Sequence, residues 1–560
     1  MRATGAVSRL KAKLGVTETA AVIQHPASAA PKKITIPASV VVEAESEAAQ
    51  QEKQGAAQNL ARVLDELNCA IDQYGGFVLR VVVGQRMEVL PLASSAGEDV
   101  IRSALKAVTG KMPPKSALET TQAEIRIHVR KTGKHVLTYR RIGKKGNAYL
   151  IDLGDTTGRA ISIENGAWQI VNSGECAFVR PRGYAPLPEP TKPASVRTAL
   201  SRLQKFMEEA GIPKLRAFLV IVALVCWLRQ GVTYPVLLFY GPPGSGKSTA
   251  ALFMLMLTDP PATAKLPSVS QDVQHIAAAA QMRQVISIDN ASKLSVSIQD
   301  TFCVLATGGE ILQRELFTNG ETAVLPIHGG AVITSVSPVA TRADLLSRSV
   351  SVEFPVRESR TDVDSLIEQF KQESGVLFGA LVELVAASTV PVAGENSGGH
   401  RLHDFCIAGQ RIFAAAGLEP SKFMKLVDRM RASTGGEIAA GDTFVTTTRE
   451  VLSKLVNSAS MGSTLPGYKA WFPSGAVAVK VDGRAVVGIK PTKFVELLKA
   501  GAVGYGERDW LPRNARELSG ALLRATPIFS DIGIKVSKRE PSEGNPYWEF
   551  VTTDKGAADA

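Results

Sequence analysis

The stretch "LLFYGPPGSGKSTA", Leu237 to Ala250, decides how this chain is read. A buried-looking apolar run meets a Gly/Pro-rich turn and then "STAALFMLML", which reads as the start of a helix. Gly241, Gly246, Lys247 and Ser248 fit the spacing G-x-x-x-x-G-K-[ST]. Between a strand and a helix that spacing makes a phosphate cradle. Glycines let the backbone N–H groups turn inward, the lysine reaches the β/γ-phosphates, and the hydroxyl ligates Mg²⁺. The expected ATP-binding segment is thus Gly241, Pro242, Pro243, Gly244, Ser245, Gly246, Lys247, Ser248 and Thr249, with Ser248 on the metal.

Hydrolysis also needs an acid beside Mg²⁺ and a group that orients water. "QVISIDNAS" supplies a strand ending at Asp289, the candidate metal-side carboxylate; its bland alternative is a cap on the following helix. Asn290 follows; it can position water but cannot act as a base. Asp300 and Glu310 stay open as further acids. In the next strand, "GAVITSV", Thr334 and Ser335 are candidates to sense the γ-phosphate. "ATRADLLSRSVSVEF" then places Arg342 and Arg348 before a last strand, where arginines can reach across a subunit interface to a neighbour's phosphate. Between the acid strand and the sensor strand, Asn319-Gly320 marks a hairpin, since a type I′ turn needs φ > 0 at both central residues.

The bulk composition fits this frame. With 560 residues the chain has room for three or four domains, and its 45% apolar and 21% charged content is that of a soluble globular protein. A formal charge of +11 permits nucleic-acid binding without requiring it. Cys69, Cys176, Cys226, Cys303 and Cys406 are widely spaced with no CxxC pair, so neither a zinc site nor a disulfide framework is expected. The run Ala217 to Leu228 is far short of the roughly 20 residues a membrane helix takes, and the N-terminus carries no signal-peptide pattern. A cytoplasmic protein with no membrane partner is expected.

Along the chain, composition divides five regions: a flexible leader over 1–55, a mixed, strand-rich α/β domain over 56–190, a P-loop core over 195–356, a helical region over 357–458 and a C-terminal domain over 465–553. In the second, a helix is expected at 57–73, and "EIRIHVR" and "HVLTYRR" alternate like strands, putting the basic run Arg126 to Lys145 on a sheet or hairpin. Asp152 and Asp155 read as turn residues, and "PRGYAPLPEPTKP" as a Pro-rich linker. Helix–strand alternation in the core implies a mostly parallel sheet with helices on both faces. Near the C-terminus a helix begins at the capping-box-like pair Asn514 and Glu517, runs to about Arg524 and is followed by two strands, the back half of a winged helix. Arg513, Arg516, Arg524, Lys535 and Lys538 there are candidate DNA contacts.

Taken together, the P-loop, the acid-ending strand, "TGGEILQRELFTNGE", the sensor strand and "RADLLSR" resemble the superfamily 3 helicase branch of AAA+ ATPases. Residues 195–430 look most like the ATPase region of primase/helicase-type proteins of phages and integrative elements. "RLHDFCIAGQRIFAAAGL" and "YLIDLGD…GAWQIV…FVRPRGYAPLPEP" extend a looser likeness over most of 117–550. The resemblance implies an AAA+ core with a helical lid and a winged-helix-like end. It also implies a hexameric ring that hydrolyses ATP, binds single-stranded or forked DNA and works as a helicase, candidate partners being other replication proteins. Phe317, Asn319 and nearby Arg314 would contact the strand. The sequence departs from that family at Asn290, where a second acid is usual, at Thr334/Ser335, where an Asn is usual, and at a hairpin tip without lysine. A second reading is a DNA-binding AAA+ initiator or scaffold that binds ATP to assemble and hydrolyses little.

Overall fold

The computed structural model describes residues 67–83, 86–173, 176–181, 183–314, 322–356, 362–441, 443–457, 476–481, 484–501, 511–540 and 546–552. The expected leader lies outside them. The chain divides into two compact units, Met1–Val83 with Met87–Thr138, and Gly84–Arg86 with Tyr139–Ala560.

In the first unit β1 (Asn68–Ile71), β2 (Phe77–Val83) and β3 (Arg86–Pro91) form a sheet in that order, followed by α1 (Ser95–Thr109) and α2 (Lys115–Thr132). Part of the expected helix over 57–73 is thus strand β1, and the rest lies outside the described residues. "EIRIHVR" is helical, not a strand. Its buried positions, Leu118, Thr121, Ile125 and Val129, recur every three to four residues, and they pack on Leu79 and Ile101. Arg126, Arg130 and Lys131 therefore sit on a helix, so the basic run does not form a sheet face.

The second unit begins near β4 (Thr138–Tyr139) and builds an antiparallel meander, β5 (Ile142–Lys145), β6 (Ala148–Asp152), β7 (Arg159–Glu164) and β8 (Ala167–Asn172), with the short β9 (Ala177–Phe178) beyond it. After α3 (Val196–Glu209) and α4 (Lys214–Trp227) come β10 (Val236–Tyr240), α5 (Lys247–Thr258), α6 (Val273–Met282), β11 (Val285–Ala291) and α7 (Val296–Thr307). The hairpin β12 (Gly309–Arg314) and β13 (Thr322–Ile327), then β14 (Gly330–Ser335), α8 (Ala343–Leu346) and β15 (Ser349–Glu353) complete this part. The sheet runs β11-β14-β10-β15, all parallel, and is buried between helices, as an unbroken apolar strand such as VLLFY requires. The apolar run Ala217–Leu228 is helix α4 in that core, buried almost all round. Among the described residues no single helix is long and apolar enough to cross a membrane.

Next come α9 (Val363–Ala387), α10 (His403–Ala415), α11 (Pro420–Gly441) and α12 (Thr443–Asn457). The supposed linker is fixed rather than free. Thr191 N–H donates to Gly375 O (2.9 Å), and a Cβ on Gly379 would lie 1.9 Å from Thr191 O, so two helix glycines let the extended strand of 187–192 lie against α9. Trp168 on β8 donates to Glu383 of the same helix (2.8 Å). A buried ion network joins the meander to the core. Arg141 pairs with Asp259 at the end of α5 (3.1 Å) and stacks on Tyr184, while Arg180 pairs with Asp152 (2.7 Å). Asp152 is therefore a buried partner and not a turn residue. Asp155 does cap its turn, accepting from Thr157 N–H (3.0 Å) and Arg159 N–H (3.1 Å).

At the C-terminal end β16 (Ala476–Val481), β17 (Arg484–Ile489), α13 (Pro491–Gly501), α14 (Ala515–Asp531), β18 (Ile534–Arg539) and β19 (Tyr547–Thr552) form a sheet ordered β16-β17-β19-β18 under helices. The capping box is present: Asn514 Oδ1 accepts from Glu517 N–H (2.9 Å), and Glu517 Oε2 accepts from Arg513 N–H (2.9 Å). The helix runs on to Asp531, seven residues past the expected end at Arg524, because Ala525 and Phe529 continue its buried face.

Candidate functional site

The phosphate loop joins the C-terminal end of β10 to the N-terminus of α5. Gly241 (φ 146°), Gly244 (φ 79°) and Gly246 (φ 93°) all hold backbone conformations that a side chain resists. Gly241 has a second reason: a Cβ there would lie 2.4 Å from Phe354 O. The first N–H groups of α5 have no intrahelical acceptor and carry the positive end of the helix dipole. Lys247 is 6% exposed, and its ammonium donates to Gly241 O and Pro242 O, both at 2.8 Å. Burial pushes its pKa below the ordinary lysine value, and the Asp289 carboxylate opposes that shift.

Asp289 comes to this loop from β11, two strands away across β14. Ser248 Oγ donates to Asp289 Oδ1 (2.8 Å), so the expected metal-side pair is assembled. Thr334 at the end of β14 donates to the same oxygen (2.5 Å) and accepts from Asn290 N–H (2.9 Å). Thr334 and Ser335 are both buried. Thr334 pairs with Phe239 and Ser335 with Tyr240 on β10, and Ser335 also with Ala291 on β11, so both lie in the sheet between the loop strand and the acid strand. Asn290 is exposed, with φ 55°, at a register break in β11 between Ile288 and Ala291. Asparagine tolerates that left-handed backbone better than most residues.

Sequence reading missed two contributors. Ser268 Oγ accepts from Asp289 N–H (3.0 Å), and Val269 N–H donates to Ser287 O (2.9 Å), so an extended segment flanks β11. A cavity between α3, α5 and α9, walled by Phe206, Thr249, Phe253, Gln369 and Phe370, opens beside the last loop residue. No local spacing reveals either, since their parts come from separate regions of the chain.

The arginines differ. Arg342 precedes α8, is 37% exposed and pairs with Asp300 (3.2 Å), which occupies that candidate acid. Arg348 is 15% exposed and pairs with Asp344 (2.7 Å), which also binds Arg401 (2.5 Å). Its carbonyl accepts from Val236 N–H (3.0 Å), at the end of the sheet away from the loop. Glu310 is exposed on β12.

Strands β12 and β13 pair from Gly309↔Ile327 to Arg314↔Thr322, the last described rung; the expected Asn319-Gly320 turn and the "ELFT" segment before it lie outside the described residues. Phe317 and Asn319 lie outside the described residues, and of Arg314 only the backbone is described. At the C-terminal end Arg513, Arg516, Lys535 and Lys538 are exposed, and Arg524 lies on α14. They do not form one face: three residues apart on β18, Lys535 and Lys538 project to opposite sides. Of the other basic run, Arg140 and Arg141 are structural, the first donating to the carbonyls of Ala280, Arg283 and His328. All five cysteines are free and buried, and among the described residues no group of side chains has a metal-binding arrangement of His, Cys, Asp and Glu.

This fold and site define a mixed α/β protein whose parallel sheet carries a glycine-rich loop with a hydroxyl–carboxylate pair at its mouth. Residues 202–433 match the family model described as actinomycete integrative conjugative element replication protein. The likeness to helicase-type replication proteins of integrative elements, read from the motifs, is borne out there. No curated protein matches the chain. Among solved structures, one described as SCCmec type IV Cch, an active helicase, is 12% identical with a TM-score of 0.45, over 87% of this chain and 93% of that one. The NrS-1 C-terminal region in its A-form apo structure is 12% identical with a TM-score of 0.34, over 88% and 98%. The JCV helicase with a bound acetamide compound is 15% identical with a TM-score of 0.19, over 40% and 75%.

Proposed function

We propose that this protein is an ATP-dependent DNA helicase or translocase of the superfamily 3-like AAA+ type, acting in the cytoplasm as a hexameric ring in replication of a phage or mobile element. The observation that carries this reading is the Ser248–Asp289 bond at the mouth of the glycine loop. Hard oxygen donors from a hydroxyl and a carboxylate suit Mg²⁺, which uses few protein ligands and takes the rest from phosphates and water. Gly241, Gly244 and Gly246 supply the cradle, and Lys247 exchanges its loop carbonyls for β/γ-phosphate oxygens. When bound, Mg²⁺ would neutralise charge developing between the β- and γ-phosphates. The nucleoside end leaves past Thr249 toward the cavity it walls. Of the two arginines offered to a neighbouring subunit, Arg342 is the more exposed and Arg348 starts from an ion pair with Asp344.

The hairpin β12–β13 and the basic residues of the C-terminal region, which we take as a winged-helix-like domain, are the DNA-facing parts of this reading. One observation favours the initiator or scaffold instead: Asn290 is exposed beside Asp289 where a second carboxylate would activate water. ATPase and strand-displacement rates of wild type and Lys247→Ala, with and without single-stranded DNA, separate the two. DNA-stimulated turnover that falls at least ~100-fold in the variant supports the motor, on the scale of losing a group that binds transition-state charge. ATP-dependent oligomers without turnover point to the scaffold.

A further inference from the structure

Thr334 has 0% exposed surface, and its hydroxyl is committed within the site to groups of the acid strand. Strand β11 pairs with β14 up to Ile288↔Ile333 and resumes only at Ala291↔Ser335, which leaves Asp289 and Asn290 as an outward step opposite Thr334. The Thr334 oxygen accepts the Asn290 N–H that this step strands (2.9 Å). With that lone pair occupied, its single proton goes to Asp289 Oδ1 (2.5 Å). Ser248 also donates to Oδ1, and no described donor reaches Oδ2.

We propose that Thr334 is a positioning residue that clamps Asp289 through Oδ1 and presents Oδ2 to the metal, an assignment that rests on the nucleotide-binding reading above. The clamp has a physical basis in the strand order. Because β14 lies between β10 and β11 and is paired to both, Thr334 is fixed relative to the phosphate loop and the acid alike. A hydroxyl that would ligate a cation through a lone pair can keep its proton on Asp289, so Ser248 and Thr334 would hold Oδ1 from two sides, Thr334 from within the sheet. Groups of this kind that orient a ligand carboxylate commonly change metal affinity by about 10–100-fold when removed.

The test is the Mg²⁺ dependence of binding of fluorescent ATP and ADP analogues by the full chain, for wild type, Thr334→Val, Thr334→Ser and Asp289→Asn. Thr334→Val should raise the half-saturating Mg²⁺ about tenfold or more for both nucleotides, on the scale expected of an outer-shell partner. Binding in chelator should stay unchanged, Thr334→Ser should behave as wild type, and in an Asp289→Asn background Thr334→Val should add nothing. If valine does not fold, Thr334→Cys, similar in size with a weak donor, is read by the same criterion. An unchanged Mg²⁺ requirement, or a loss equal at every Mg²⁺ concentration, would leave Thr334 a purely structural residue and overturn the assignment. Loss confined to ATP would mean direct γ-phosphate contact and also overturn it. Wild type that binds no nucleotide sinks the nucleotide reading with it, whereas Mg²⁺-dependent wild-type binding indifferent to position 334 sinks this proposal alone.

Discussion

Asn290 joins two demands in one side chain: a left-handed backbone at φ 55° and an exposed amide next to the metal-side acid. The first demand belongs to stability. Asn290→Gly should be near neutral in urea unfolding, while Asn290→Val should cost about 1–2 kcal/mol because a β-branched side chain meets the following carbonyl in that conformation. The second belongs to chemistry. Asn290→Glu that raises steady-state ATP turnover shows the position faces attacking water; unchanged turnover with intact nucleotide binding favours the assembly role. At this scale the sequence was most legible where residues act as neighbours. The loop Gly241 to Ser248 is contiguous, so its spacing carried its geometry, and Asp289 was found because it ends an apolar strand. Thr334 was singled out by its place in the strand, but its bonds to Asp289 and Asn290 were not legible, since they depend on strands that pair from distant segments.

Among the elements, short windows misled where a longer one would have served. The alternation of "EIRIHVR" looks like a strand over seven residues, yet Leu118, Thr121, Ile125 and Val129 show the helical period over a longer span. The capping box was legible because it rests on four adjacent residues, Asn514 to Glu517. The link between α9 and α10 adds a pH-dependent term. Glu395 accepts from Arg411 Nε (2.8 Å) on α10, and that bond holds its carboxyl below the ordinary value of 4.5. A depressed folded-state pKa gives stability that is complete above the unfolded value and is lost as pH falls through the folded one. Glu395→Gln should therefore be less stable than wild type by about 2 kcal/mol at pH 7, the scale of a hydrogen bond to a charged group. In urea midpoints taken across pH, that gap should begin to narrow as pH falls below 4.5 and close only once pH has passed below the lower folded-state value. A gap constant with pH would mean the pair contributes only through packing.

For the molecule as a whole, the parallel sheet followed from helix–strand alternation, but its cross-links did not. Arg141 and Asp259 lie far apart in sequence, and nothing local marks them as partners at 0% and 1% side-chain exposure. Such a pair is strongly destabilising when one member is removed, about 3–5 kcal/mol, because the other stays buried and uncompensated. It attaches the meander β5–β8 to the end of α5, the helix that begins at the phosphate loop, while Asp259 Oδ2 accepts from Gln284 N–H (2.9 Å) at the threshold of β11. One residue thus ties down the far ends of both elements that supply the nucleotide site.

The proline-rich strap along α9 also decides where the chain can be cut. By composition, Pro186 to Pro193 is an obvious place to shorten the polypeptide. A polypeptide starting at residue 195 would leave Gly375 and Gly379 as an open groove, Glu383 without its tryptophan and Asp259 without Arg141. One starting at residue 139 keeps all three. The first should be insoluble or melt well below the second in a thermal scan; equal melting of the two fragments would show that the strap is dispensable.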